Sequence, residues 1–107
     1  MLPEYVATGD ETISISNDPA CYGFTRATMV PTSCTFKGRQ ADAAVFTVDT
    51  DQLRYRVTGN APTASVGHLV NVNQEKTIYG RKNLLKFLAI RVTTDMSIFV
   101  TYYHKST

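Results

Sequence analysis

A chain of 107 residues has room for one domain, whose folding buries roughly two-thirds of the unfolded surface without metal or disulfide staples. Thr, Val, Ile, Tyr and Phe supply 41 residues against six Leu and nine Ala, which favours sheet over helix, and the absence of Trp argues against a sugar-binding face built on indole platforms. The net charge of +2 hides an asymmetry, with seven acids and three bases through Asp51 and two acids and eight bases after it. Either the domain is bipolar and docks head to tail or onto an acidic surface, or its strands interleave and the charges average out.

No segment approaches the ~20 apolar residues of a membrane span. Met1-Leu2-Pro3-Glu4 lacks the basic flank and apolar core of a secretory signal, so synthesis is expected in the cytosol. Cys21 and Cys34 then read as thiols, with a disulfide between neighbouring strands as the alternative. Their separation fits no metal pattern of closely spaced pairs.

In chain order, residues 1–10 carry Pro3, Gly9 and little periodicity, and read as an N-terminal arm or edge strand preceding a domain over 11–107. Ile13 and Ile15 alternate with Thr12, Ser14 and Ser16, a short half-buried strand stopped by Asn17-Asp18-Pro19. Residues 20–36 are irregular, with Tyr22, Phe24, Met29 and Val30 facing inward. Ala44–Val48 is the next strand, followed by the turn Asp49-Thr50-Asp51. Leu53, Tyr55 and Val57 alternate with Arg54 and Arg56, the clearest half-buried strand in the chain.

The loop Gly59–Gly67 follows, with Pro62 fixing one φ angle. Leu69–Val72 and Thr77–Tyr79 read as strands, Asn83-Leu84-Leu85 as one helical turn, and Phe87–Val92 and Ser97–Tyr103 as the closing strands. About eight strands spaced by turn signals describe an all-β chain, a single antiparallel sandwich or barrel. Its expected core is Ile13, Ile15, Val45, Leu53, Tyr55, Val57, Leu69, Phe87 and Val100.

The segment RYRVTGNAPTASVGH, the spaced NLLKFLAIRV and the closing IFVTYY resemble small virion structural proteins of tailed bacteriophages. The resemblance covers Leu53 to Tyr103, and its loop is the distinctive part. It implies a jelly-roll-like sandwich that cements or decorates the capsid, located in the virion and forming homo-oligomers on the particle. Its partners would be the major capsid protein or other virion proteins. A neck or tail position is the alternative. The resemblance carries no catalytic residues.

The residues themselves agree with a non-enzymatic reading, with no catalytic, cofactor-binding or metal-binding set. His68 and His104 have no clustered ligands around them. Ser65 and His68 lack the third group and oxyanion pocket of a serine nucleophile; Thr63, Ser65 and His68 are expected to hydrogen-bond within the loop and hold it rigid. Arg54, Arg56, Lys76, Arg81, Lys82, Lys86 and Arg91, with Tyr55, Tyr79 and Phe87, open a reading from another class, a small nucleic-acid-binding β-barrel. Tyr55 is out of phase with its flanking arginines, and the net charge is low for that role. A protein interface is preferred, with Leu2, Tyr5, Val6, Arg54, Arg56 and Tyr103 as the candidate contact residues.

Overall fold

The structure is a computed structural model that describes residues 4–16, 23–30 and 38–105, without the side chains of Arg26 and Ala27. Leu2, Cys21, Tyr22 and Cys34 lie outside the described residues. The described residues form seven strands and two short helices: β1 (Tyr5–Ile15), α1 (Arg26–Met29), β2 (Ala43–Asp49), β3 (Leu53–Arg56), β4 (His68–Val70), β5 (Glu75–Tyr79), α2 (Arg81–Lys86), β6 (Leu88–Arg91) and β7 (Met96–Lys105). The strands make two antiparallel sheets, in the orders β1-β7-β2-β5 and β4-β3-β6.

β7 shows why this sequence makes sheet. Met96, Ile98, Val100, Tyr102 and His104 are buried, while Ser97, Phe99, Thr101, Tyr103 and Lys105 turn the other way, a period of two over ten residues. Flanked by β1 and β2, β7 is the spine of the larger sheet. Both sheets feed one apolar cluster, in which Phe46 of β2, Tyr55 of β3 and Phe87 ahead of β6 lie within 5.8 Å of one another by ring centroid. Phe24 stacks on Phe87 at 4.0 Å and meets Tyr102 edge-on. Each such side chain stabilises the fold by about 1.5–3 kcal/mol through burial alone.

Most of the expected core is where the alternation put it: Ile15, Leu53, Phe87 and Val100 are buried, and Ile13, Tyr55 and Val57 pack against the cluster. Two positions are corrected. Val45 pairs with Thr77 and Thr101 on the outer face, leaving Ala44, Phe46 and Val48 inside. A run of consecutive apolar residues does not specify its own phase, and the register that buries Phe46 buries more apolar area than the slipped one. Leu69, 40% exposed, sits opposite Arg54 on the outer face of the small sheet, and its neighbour Val70 takes the core position opposite Leu53.

Residues 5–10 take the edge-strand alternative of the sequence reading. They are the first part of an edge strand continuous to Ile15, paired with β7 from Tyr5↔Lys105 to Ile15↔Met96 with a bulge between Ala7 and Gly9, not an arm set apart from the domain. The charges follow the topology. In the larger sheet, strands from the first half (β1, β2) alternate with strands from the second (β7, β5), which averages their charge. The small sheet is drawn wholly from the second half, and its strands carry Arg54, Arg56 and Arg91 with no acid.

Candidate functional site

The loop between β3 and β4 is held from beneath by one side chain. Arg54 donates from Nε to the Ala64 carbonyl at 2.9 Å and from Nη1 to the Gly67 carbonyl at 2.8 Å. The two donors, on separate nitrogens of one rigid plane, fix two points of the loop at once, a pre-organised spread that a single ammonium nitrogen lacks. Above them Thr63 and Val66 exchange backbone bonds of 3.0 and 3.3 Å, and the Ser65 N–H donates to the Thr63 hydroxyl. Gly67 closes the loop at φ +131°, and a Cβ there would stand 3.1 Å from the Tyr55 carbonyl oxygen and 3.3 Å from the Pro62 side chain. The result is a stiff projection that carries Ala64, Ser65 and an exposed Val66 into solvent.

Arg54, a candidate partner contact from its place on the strand, has its guanidinium bound to the loop. His68 contributes differently from expectation, lying 5.2 Å from the Tyr55 ring. Arg56 is half-buried on the outer face of the small sheet, opposite Leu88.

The second surface is the outer face of the larger sheet. The register brings Tyr5, Tyr103 and Tyr79 to one end of it, with the rings of Tyr5 and Tyr79 6.2 Å apart edge to face over fully buried Ala43. Tyr103 thus faces outward while Tyr102 is buried, with burial and the Glu11 carboxylate that accepts its hydroxyl both holding the phenol far above its ordinary range. Val6, expected beside Tyr5 as a contact, pairs with His104 and so belongs to the opposite side of the strand, although it remains 43% exposed. Further along, Phe99 is 48% exposed at the middle of the face. Sequence reasoning passed over Phe99 and Tyr79 as contact residues, although counting by twos back from Tyr103 reaches Phe99.

Polar clusters brace both surfaces. Asp42 accepts from Arg39 at 3.1 Å, Arg81 at 2.7 Å and the Lys105 N–H at 2.8 Å. Burial would raise its pKa, but the Lys105 N–H and the two arginines outweigh that, and the net shift is downward. His104, fully buried, donates from Nε2 to the Arg39 carbonyl at 2.6 Å and meets the Thr8 hydroxyl through Nδ1 at 2.7 Å. Asp51 accepts the N–H groups of Thr93 and Thr94 at 2.7 and 2.8 Å, tying the β2–β3 turn to the β6–β7 turn. There too burial would raise the pKa, but these backbone donors outweigh it, and the net shift is downward.

The residues of the basic–aromatic platform are not brought together. Tyr55 packs inward on Phe46 and Phe87, Arg54 and Arg56 lie on the outer face of one sheet, and Tyr79 lies on the outer face of the other. Among the described residues no group of three His, Cys, Asp or Glu could hold a metal ion, and no helix is long and apolar enough to cross a membrane. Comparison with known proteins finds no matching family model, no matching curated protein and no matching solved structure.

Proposed function

We propose that this protein is a non-enzymatic structural component of a tailed-phage virion, a jelly-roll-like sandwich that decorates or cements the capsid by bridging major-capsid subunits. The observation that carries the reading is the Arg54-held loop. The stretch that resembles small phage virion proteins includes the loop that Arg54 holds, and a pre-ordered projection binds a partner with little loss of conformational entropy. Val66 at its tip and the Tyr5–Tyr79–Tyr103 group on the larger sheet are the contacts favoured by this reading, since exposed aromatics and apolar anchors carry most interface energy.

The strand order supports the jelly roll. β1–β7, β2–β5 and β3–β4 are antiparallel pairs nested one inside the next, as in a long two-stranded ribbon, and β2–β7 and β3–β6 are the contacts made when such a ribbon is rolled up. Only β6 lacks its ribbon partner among the described strands. Its edge away from β3 is bracketed by Ser16, whose carbonyl accepts from the Arg91 N–H, and by Gly23, where a Cβ would stand 2.8 Å from the Phe87 carbonyl oxygen.

The test is a mass-spectrometric inventory of purified particles from a phage encoding the chain, with copy number. Hundreds of copies per particle fit decoration. A dozen or so would move the protein to the neck or tail, and its absence from particles would overturn the virion reading.

A further inference from the structure

Phe99 stands in unusual company. Its direct neighbours across the ladder are Thr12 on β1 and Thr47 on β2, and its same-face neighbours along β7 are Ser97 and Thr101. An exposed ring is thus surrounded on all four sides by hydroxyl side chains. Two open grooves of about 390 and 360 Å³ meet beside it at Ser97; one is lined by Ser14, Thr50 and Asp95, the other by Thr12, Thr47, Asp49 and Asn73. Each contains one of the two non-glycine residues with positive φ among the described residues, Thr50 at 79° and Asn73 at 68°. The Asn73 turn is pinned against the end of β2 by its N–H on the Val48 carbonyl at 2.8 Å, so this rim is fixed in position.

The charge on this face narrows the ligand. Asp10, Asp49 and Glu75 belong to it, and its basic residue, Lys105, lies three same-face positions from Phe99 at the tyrosine end. That disfavours phosphate, sulfate and nucleic acid, and also a second copy presenting the same acidic face. Both grooves are open and mix hydroxyl and carboxylate groups with apolar lining, Ile15 and Met96 in one and Val48 and Phe99 in the other, which suits an amphipathic ligand better than a wholly apolar one. A neutral saccharide meets all of these terms. The C–H groups of a pyranose face carry partial positive charge suited to the negative face of a phenyl ring. Its hydroxyls donate and accept, as do those of Thr12, Thr47 and Ser97, while Asp49 and Asn73 offer stronger acceptors and an amide donor.

We infer that the outer face of the larger sheet around Phe99 is a binding site for neutral oligosaccharides, with Phe99 as the stacking platform and Thr12, Thr47, Ser97, Asp49 and Asn73 as the hydrogen-bonding rim. This site is separate from the Arg54-held loop and does not rest on the virion reading. The composition had turned attention away from it by the lack of Trp, but an exposed Phe supplies the same kind of face over a smaller area.

The experiment is an amide-resolved NMR titration of the whole chain with neutral hexasaccharides of glucose, mannose, galactose and N-acetylglucosamine, and with a sulfated counterpart. At least one neutral sugar should give saturable shifts centred on Thr12, Thr47, Ser97 and Phe99, with the sulfated one binding more weakly. Phe99→Ala should weaken binding at least tenfold with a folded spectrum; Phe99→Leu, which keeps apolar bulk, serves if the smaller residue unfolds the sheet. Asn73→Gly preserves the positive φ and should weaken binding severalfold. Shifts mapping elsewhere, shifts that survive loss of the ring, or no saturable response to any of the sugars would overturn the inference.

Discussion

Phe46 and Val45 are adjacent, both apolar and on opposite faces of β2, and they isolate what register does at a single residue. Phe46→Ala should cost about 3–5 kcal/mol, the range for a large ring removed from a packed core. Val45→Ala should cost less than about 1 kcal/mol, because the side chain lies on the outer face. Chemical denaturation of both variants checks the assignment, and equal losses would mean that the strand is out of phase with this account. Thr50 raises a different issue: at φ 79° a β-branched residue pays for a conformation that glycine adopts freely. Thr50→Gly should therefore raise stability by up to about 1 kcal/mol despite the added freedom of the unfolded chain. Stability falling instead would show that the Thr50 side chain makes up for the strain.

Two devices hold turns together at the scale of the element. Arg54 is the first. Arg54→Lys keeps the charge and loses the fork, so the Thr63 and Val66 amides should exchange with solvent at least tenfold faster while those of β7 stay protected. Uniform exchange across the chain would mean that the loop is not an independent unit. Asp51 is the second, joining two turns through paired N–H donors. Its pKa is lower folded than unfolded, so its contribution is complete above about pH 4 and is lost as pH falls through the depressed folded value. Asp51→Asn should lower stability at pH 7 and flatten the dependence of the denaturation midpoint between pH 5 and pH 2; an unchanged slope would exclude it as an acid-sensitive tie. Asp42 works in the same direction. How much of this was legible follows from periodicity. β3 alternates strictly, so its inward residues could be read directly, whereas β2, β4 and the Ile98-Phe99-Val100 and Tyr102-Tyr103 stretches of β7 contain consecutive apolar residues whose phase only cross-strand partners fix. The Arg54 contact was not legible, because an arginine on an outward strand face looks the same whether it meets a partner or the chain's own loop ten residues on. The ring of hydroxyls around Phe99 comes from three strands far apart in sequence, and no local pattern could reveal it.

For the whole molecule, the decisive fact is that the first strand pairs with the last. β1 runs along β7 for its full length, and β7 in turn pairs with β2, which carries β5 on its other edge. A segment with Pro3, Gly9 and weak periodicity reads from sequence as an arm or edge strand, and a mobile terminus is the ordinary outcome when nothing ties it down. Here it is tied. Residues 5–10 contribute the ladder from Lys105 to Thr101, the Thr8 hydroxyl that meets buried His104, the Tyr5 ring over Ala43, and the close approach of Gly9 to the Thr28 carbonyl, where a Cβ would stand at 3.2 Å. Deleting residues 2–10 would therefore expose the edge of β7 over half its length and leave His104 without its hydroxyl partner. Unpaired backbone at a newly opened edge is costly in isolation and invites strand addition from another copy. The truncated chain should lose cooperative unfolding, or survive only as a self-associated species, read by circular dichroism melts together with sedimentation. A truncated monomer with the stability of the full chain would return residues 5–10 to the role of an arm, ordered by a partner and not by this sheet.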